Sequence, residues 1–224
     1  WLLGDSGGFQ IGKGVWEGDW KDPNCPKAHK KRDGVLKWMD AYMDYGMILD
    51  IPAWVSRSPE GAKATGISTY AEAVKATRIN NDYFMKNKTG ACKFLNVLQG
   101  ENHADAEDWY QQMKDYCDPK KYPSTHFNGW SMGGQNMCDI HLALKRLVAL
   151  RYDGLLEKGI HDVMHFLGTS KLEWATLLTD VQRAVRKYHN ENFMITTFYK
   201  QNFLYFLYLK SLVKTQRVSV TRYY

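Results

Sequence analysis

The sequence predicts an α/β protein with a parallel sheet, and the closest architecture is a (β/α)8 barrel of the TIM type. Short apolar runs alternate along the chain with longer amphipathic segments, as in strands that are joined by crossover helices. Polar residues or glycines follow five of these runs, at the edge where barrel enzymes keep their chemistry. Six strand-helix units are visible in 224 residues, so we expect a barrel that is incomplete at its N-terminus and its C-terminus. An open doubly wound sheet is the alternative.

The predicted strands are short and apolar on both faces, which is typical of strands in a parallel sheet. They are Trp1–Gly4, Met47–Leu49, Lys93–Leu98, Gly129–Met132, Val163–Leu167 and Phe193–Thr196. The predicted helices are Val35–Asp44, Thr69–Lys88, Asp105–Tyr116, Met137–Lys158 and Lys171–His189. Ser68 or Thr69, with Glu72 in the first turn, predicts a helix N-cap. Ser170 with Glu173 predicts another.

The composition excludes several classes of protein. An apolar fraction of 44% and a charged fraction of 24% indicate a globular domain rather than a disordered, collagen-like or coiled-coil chain. The four cysteines show no CxxC spacing, which argues against a disulfide framework and a zinc ribbon. A signal peptide and a membrane-spanning run are not seen, so we expect a cytoplasmic protein, in a bacterial cell or a phage-infected host, with no membrane partner.

The net charge of +6 is concentrated in one part of the chain. Residues 192–224 contain five Lys and Arg residues and no Asp or Glu, which leaves residues 1–191 with 25 cations against 24 carboxylates. The bulk charge is therefore weak evidence for nucleic-acid binding by the barrel. We divide the chain into a barrel portion, residues 1–196, and a divergent basic and aromatic tail, residues 197–224.

Five short motifs stand at the ends of the predicted strands. They are Asp5-Ser6-Gly7-Gly8-Phe9-Gln10, Ile48-Leu49-Asp50, Val97-Leu98-Gln99-Gly100, Met132-Gly133-Gly134-Gln135 and Phe166-Leu167-Gly168-Thr169. Each could be a strand-to-loop turn whose polar groups bind the local backbone. Parallel strands nevertheless bring their carboxyl ends to one edge, where a carboxylate, an amide and flexible glycines can surround a flat ligand.

In this order the motifs resemble the signature of the guanine transglycosylases, which exchange a guanine in a nucleic acid for a 7-deazaguanine. The resemblance covers about residues 1–196, and residues 11–14 and 165–174 are closest to the phage and bacterial DNA-modifying branch. It implies replacement of guanine in DNA by a base such as 7-cyano-7-deazaguanine, through a covalent aspartyl intermediate. A tRNA-guanine transglycosylase of the queuosine or archaeosine pathway is the alternative. A catalytically inactive fragment that binds the base or the nucleic acid is the second alternative.

The resemblance assigns roles to particular residues. Asp5 matches the catalytic aspartate and is the candidate for moving a proton on the departing or incoming base. The base-binding candidates are Ser6, Phe9, Asp50, Gln99, Met132, Gly133 and Gly134. Carboxylates would accept from N1 and N2 of guanine, while the Gln99 amide and the Gly134 N–H would serve O6. Phe9 and Met132 could sandwich the purine, although both could equally be core residues.

Two features of the family are missing from the sequence. The family's nucleophile lies in a D-C-x-x-P-like stretch after the next strand, where this chain reads Thr197-Phe198-Tyr199-Lys200. The family's zinc site, C-x-C-x-x-C with a His, has no counterpart, so no metal cofactor is expected. We infer that the chain departs from the family near Thr196, and we hypothesise that the tail is out of frame or unrelated.

One basic segment is a weak candidate for contact with nucleic acid. Its cationic members are Lys27, Lys30, Lys31 and Arg32, with Trp16 and Trp20 upstream. Cations could bind phosphates while an indole stacks on a base. A solvated loop is the alternative.

Overall fold

Strands and helices alternate along the chain as the sequence predicts. The computed structural model describes residues 1–169, 171–197 and 220–222. The strands are β1 (Leu2–Gly4), β2 (Tyr45–Met47), β3 (Lys93–Leu98), β4 (Gly129–Met132), β5 (Val163–Phe166), β6 (Met194–Thr197) and β7 (Val220–Arg222). The helices are α1 (Gly8–Gly12), α2 (Pro26–Tyr42), α3 (Pro59–Thr65), α4 (Tyr70–Asn87), α5 (His103–Met113), α6 (Ile140–Tyr152) and α7 (Leu172–Tyr188). Short 3-10 helices span Ala53–Arg57, Lys114–Cys117 and Gly134–Met137.

The first six strands form a parallel sheet in sequence order. The full order is β6-β5-β4-β3-β2-β1-β7, and every pair from β1 to β6 is parallel. A doubly wound sheet reverses direction after its first strands, and the order of these six shows no such reversal, so that alternative is wrong. Right-handed crossovers in one direction place the connecting helices on one face. The result is an α/β half-barrel.

The strand β7 lies on the outer edge of β1 and runs antiparallel to it, with Leu3 opposite Thr221. In a closed (β/α)8 barrel the corresponding neighbour of β1 is a parallel strand. Residues 220–222 belong to the segment that the sequence sets apart as a divergent tail, and residues 198–219 and 223–224 of that segment lie outside the described residues.

The two faces of the sheet have different neighbours. On the outer face, Phe94 packs against Phe84 of α4 and Trp130 against Tyr110 of α5. A β-carbon on Gly46 would lie 2.5 Å from the sulfur of Met39 in α2, so a glycine lets this helix approach the sheet. Alternate residues of each strand therefore face the helices, and the residues between them face the inside of the half-barrel.

Several boundaries differ from the sequence prediction, and two of these differences have identifiable reasons. The second strand ends at Met47 rather than Leu49, because the backbone turns and the Asp50 N–H donates to the Ile48 carbonyl at 3.0 Å. Helix α2 begins at Pro26 rather than Val35, since proline is favoured in the first helical turn. The predicted basic loop is consequently the start of a helix.

The N-cap predicted for α4 is confirmed. Thr69 Oγ1 accepts from the Glu72 N–H at 3.2 Å, and the Glu72 carboxylate accepts from the Thr69 N–H at 3.2 Å, which is a capping box. Ser170, the other predicted cap, lies outside the described residues, and Lys171 occupies the N-cap position of α7. Within the described ranges, no helix combines the length and the apolarity needed to cross a bilayer.

Candidate functional site

The carboxyl edge of the sheet brings together residues from all five motifs. Asp50 follows β2 and Gln99 follows β3, and the Gln99 Nε2 donates to the Asp50 Oδ2 at 2.7 Å. Both side chains are buried, with 4% and 5% of their surface exposed. A hydrogen-bonded carboxylate and amide thus form the floor of the site at the ends of neighbouring strands.

Three glycines surround this pair so closely that no side chain could replace them. A β-carbon on Gly8 would lie 2.8 Å from the Asp50 Oδ1, and one on Gly133 would lie 2.7 Å from the Gln99 Nε2. Gly134 has φ of +53°, and a β-carbon there would lie 2.4 Å from the Gly100 carbonyl oxygen. The glycines that the sequence singled out therefore allow backbone to approach the carboxylate and the amide.

The first motif lines the side of the site next to Asp50. Asp5 is half-buried and Ser6 is buried, and the Gly7 N–H points toward the Asp5 Oδ1 at 3.5 Å. Gly7 has φ of +86°, and its Cα faces the indole of Trp16, which a β-carbon would approach to 2.6 Å. A left-handed residue and a tight aromatic neighbour make glycine necessary at this position.

Burial dominates the electrostatics of Asp50. Removal from water raises the pKa of Asp50 from 3.8 to about 7, against the lowering effect of the Gln99 hydrogen bond, and the nearby charge of Asp5 raises it further. Desolvation disfavours the charged carboxylate, and a second carboxylate acts in the same direction. Both protonation states of Asp50 are consequently accessible near neutral pH.

A clamp from the helix layer holds the backbone on both sides of Asp50. The Thr77 Oγ1 accepts from the Ile51 N–H at 2.9 Å, and the Asn80 Nδ2 donates to the Leu49 carbonyl at 2.6 Å. Arg32 of α2 completes the clamp, because its Nε donates to the Asn80 Oδ1 at 2.6 Å. The orientation of the Asn80 amide, and through it the end of β2, is therefore fixed from outside the pocket.

Two buried acceptors near the glycines have no hydrogen-bond partner among the described residues. The Gln99 Oε1 and the Gln10 Oε1 are inaccessible to solvent and accept no hydrogen bond within the described part of the chain. They lie 3.0 Å and 3.4 Å from the positions that β-carbons on Gly134 and Gly7 would occupy. An unsatisfied buried acceptor costs about 1–3 kcal/mol, which a ligand N–H could offset.

Asn136 was missed by the sequence reasoning although it organises the site. Its buried Nδ2 donates to the carbonyls of Gln99 and Gly133, at 3.1 and 3.2 Å. It thereby ties the end of β3 to the end of β4, which sets the distance between the amide floor and the glycine wall. The only sequence signal is a polar residue directly after the glycine motif.

The prediction that Met132 contacts the base is wrong. Met132 is buried opposite Phe166 in the sheet register, and Phe166 packs against Trp174 of α7. Because side chains alternate along a strand, Met132 faces the helices. Leu167, whose Cδ1 would lie 3.3 Å from a β-carbon on Gly133, is instead the apolar residue beside the Gln99 amide.

Below the floor of the site, a polar row crosses the inner face of the sheet. Ser131, His165 and Thr196 are in register on adjacent strands, and the His165 Nδ1 is 2.7 Å from the Thr196 Oγ1. Burial lowers the pKa of His165 to about 3, because desolvation disfavours the imidazolium. His165 is therefore neutral at physiological pH and offers hydrogen bonds rather than charge.

Phe9 lies on the rim of the site rather than inside it. Its ring is 59% exposed and stands 6.0 Å from the ring of Trp54, at an interplanar angle of 58°. The Lys13 Nζ lies 5.5 Å from the centroid of each ring. These three residues, which we call the rim cluster, are connected to Asp5 and Asp50 by only a few residues of chain.

The predicted basic contact is only partly available to a ligand. Arg32 is 1% exposed and belongs to the clamp, so its assignment to nucleic-acid binding is wrong. The Lys27 Nζ lies 3.4 Å from the Glu17 carboxylate. Lys30 and Lys31 are exposed, and the Lys31 Nζ lies 4.9 Å above the ring of Trp16. Trp20, by contrast, is a core residue without exposed surface.

The residues described do not fit a metal site. In residues 1–169, 171–197 and 220–222, no group of three His, Cys, Asp or Glu side chains is placed to hold an ion. The cysteines are Cys25, Cys92, Cys117 and Cys138, all of them free.

The site combines a carboxyl group, an amide, backbone glycines and an apolar side chain at one edge of the sheet. Such a set can bind a flat heterocycle that donates and accepts hydrogen bonds along one edge. Comparison of the chain with protein-family models, with curated proteins and with solved structures gives no match.

We expect Asp50→Asn to change how stability depends on pH. The folded pKa of about 7 lies above the ordinary 3.8, so the unfolded chain loses this proton first as pH rises. The contribution of Asp50 to the unfolding free energy then falls between pH 4 and 7, by about 4 kcal/mol at 1.4 kcal/mol per pKa unit. Urea unfolding of both proteins should show the variant gaining stability relative to wild type across this range. Asp180→Asn, at an exposed position on α7, is the control, and the same relative gain in that variant would contradict the assignment.

We expect Thr77→Val to destabilise the protein by about 1–3 kcal/mol, because it keeps the side-chain shape and leaves the buried Ile51 N–H without an acceptor. Thr77→Ser, which retains the hydroxyl, should lose less, about the 0.8 kcal/mol of one buried carbon. The exposed Thr176→Val on α7 controls for valine in a helix. Urea titration measures the unfolding free energy of all three variants. Equal losses of stability in Thr77→Val and Thr77→Ser would show that the hydrogen bond to the Ile51 N–H does not contribute.

Proposed function

We propose that the pocket binds guanine and 7-deazaguanine bases, and that the protein exchanges guanine in DNA for a 7-deazaguanine. The observation that carries the proposal is the buried Asp50–Gln99 pair, whose Gln99 Oε1 accepts no hydrogen bond within the described residues. Guanine donates from N1 and N2 and accepts at O6, and a carboxylate beside an amide complements such an edge. The half-barrel is, in this proposal, part of a (β/α)8 barrel.

The orientation of Gln99 refines the roles expected from the sequence. Its NH2 group donates to Asp50, so the amide atom without a partner within the described residues is the Oε1. This oxygen is an acceptor, and it is better suited to a base N–H than to O6. The Gly134 backbone lies beside this oxygen, and its N–H is the candidate donor to O6. Leu167, beside the Gln99 amide, is the candidate to support one face of the ring, whereas Phe9 lies on the rim, outside the pocket.

Exchange requires that the glycosidic bond of the target guanosine breaks while a nucleophile bonds to C1′. The departing guanine then takes up a proton, and the incoming base gives one up when it displaces the nucleophile. Asp5 is half-buried beside Asp50 and is the candidate for this proton transfer. The carboxylate nucleophile is the part of the reaction to which we assign no residue.

A second function, base binding without exchange, is favoured by one observation. Residues 192–224 contain no Asp or Glu, so no carboxylate follows β6 where the resemblance requires the nucleophile. The pocket itself is independent of that residue, since its walls come from residues 5–8, 50, 99 and 133–134. Binding can therefore persist where turnover does not.

One incubation separates these functions. The protein is mixed with labelled guanine, duplex DNA and tRNA, and incorporation of the label into each polymer is scored after separation. We expect label in DNA. Label confined to tRNA would replace DNA by tRNA as the polymer, and no label together with tight binding of 7-cyano-7-deazaguanine would establish binding without exchange. Absence of both incorporation and binding would overturn the proposal.

We expect Asp50→Ala and Asp5→Ala each to weaken binding of 7-cyano-7-deazaguanine by about tenfold or more. A hydrogen bond to a charged group contributes about 1.5–3 kcal/mol, and 1.4 kcal/mol corresponds to tenfold. Calorimetric titration at pH 8 measures the affinity while Asp50 is ionised. Asp180→Ala on α7 should bind like the wild type. Unchanged affinity in both pocket variants would exclude these carboxyls from the site.

A further inference from the structure

The rim cluster of Phe9, Lys13 and Trp54 is an exposed combination of aromatic surface and positive charge. Most of the Phe9 ring is open to solvent, and Trp54 is half-buried. The Lys13 Nζ is equidistant from the two rings, at 5.5 Å from each. Within the described residues Lys13 is in no ion pair, in contrast to Lys27 with Glu17, so its charge is available to an anion.

The cluster is held rigidly by the local backbone. Phe9 and Lys13 are four residues apart on α1 and its C-cap, which places them on one side of the helix. Trp54, in the 3-10 helix of residues 53–57, lies against Gly12 so tightly that a β-carbon there would meet its ring at 2.6 Å. A rigid aromatic surface loses little conformational entropy when a ligand stacks on it.

The position of the cluster points to a neighbour of the base in the pocket. Gly8, whose Cα faces the Asp50 carboxylate, directly precedes Phe9. On the other side, Trp54 follows Asp50 by four residues. These two short connections place the cluster next to the Asp50 side of the site.

We propose that the rim cluster binds the nucleotide adjacent to the target guanine in an unpaired DNA strand. The base of that nucleotide stacks on the aromatic surface of Trp54 and Phe9, and Lys13 contacts its phosphate. Aromatic platforms with interleaved cations bind single strands in this way, with little preference for sequence. This proposal rests on the proposed function, because it needs a base in the pocket and a polymer around it.

The chain contains a matched control at the opposite edge of the sheet. Lys187 and Tyr188 end α7, where the Lys187 Nζ lies 4.8 Å from a tyrosine ring that is 68% exposed. This pair has the same chemistry as the rim cluster, but it precedes β6 and lies away from the carboxyl edge. Non-specific attraction to DNA would involve both places, whereas the proposed contact involves only the rim.

The test measures binding of a fluorescent single-stranded DNA oligonucleotide that contains one guanine. We expect Trp54→Leu to weaken it about tenfold, with most of the affinity retained in Trp54→Phe. Lys13→Met should reduce the slope of log affinity against log salt by about 0.7, as expected for one lost phosphate contact on a single strand. Lys187→Met and Tyr188→Leu should change neither quantity. Lys13→Met alters an exposed side chain, so it keeps the test valid if Trp54→Leu misfolds.

A second titration, with free 7-cyano-7-deazaguanine, separates this proposal from the proposed function. We expect Trp54→Phe and Lys13→Met to bind the free base like the wild type. The rim contact would be overturned if Trp54→Leu and Lys13→Met kept the oligonucleotide affinity and the salt slope of the wild type. It would also be overturned if the α7 variants lost as much affinity as these two. Neither result would contradict base binding in the pocket. Failure of the wild type to bind the free base would overturn the proposed function instead.

Discussion

Keeping the Asp50 carboxyl out of water is the constraint on which the rest of the site depends. A carboxylate in a dry interior is tolerated only when hydrogen bonds and a fixed backbone compensate for lost hydration. Gln99 supplies the hydrogen bond, while Thr77 and Asn80 fix the peptides on either side of Asp50. Arg32, remote from the pocket, fixes Asn80 in turn. The helix layer thus positions the Asp50 carboxyl through the backbone on either side of it.

The glycines extend the same constraint to the opposite wall. Once Asp50 and Gln99 are buried, the chain around them must approach within distances that no β-carbon permits, as at Gly8 and Gly133. Gly134 adds a left-handed backbone conformation, which other residues adopt at a cost. This packing of main chain against polar side chains permits few alternatives to glycine at these positions, which explains why short sequence motifs could reveal the site.

The sequence predicted those parts of the molecule that local patterns determine. The strands β3 and β4 have the predicted bounds, and the Thr69 capping box is recognisable from residue types alone. Polar residues at strand ends predicted the pocket because parallel strands share an edge. Local patterns could not predict that the Met132 side chain faces the helices or that Arg32 is buried. Both depend on strand register and helix packing, which bring together residues that are far apart in the chain.

The environments of the two carboxyls differ in a way that suits base exchange. Asp50 is fully buried, and its pKa of about 7 lets it hold or release a proton in the physiological range. Asp5 is half-buried, and its charge makes ionisation of Asp50 harder. A site that releases one purine and accepts another must supply a proton and then remove it, and a carboxyl poised near neutrality can do both. A protonated Asp50 still accepts from the Gln99 NH2 through its carbonyl oxygen, while its hydroxyl adds a donor that the carboxylate lacks. The burial that requires the clamp and the glycines thereby couples the protonation state of Asp50 to the hydrogen-bonding groups that the site can offer to a ligand.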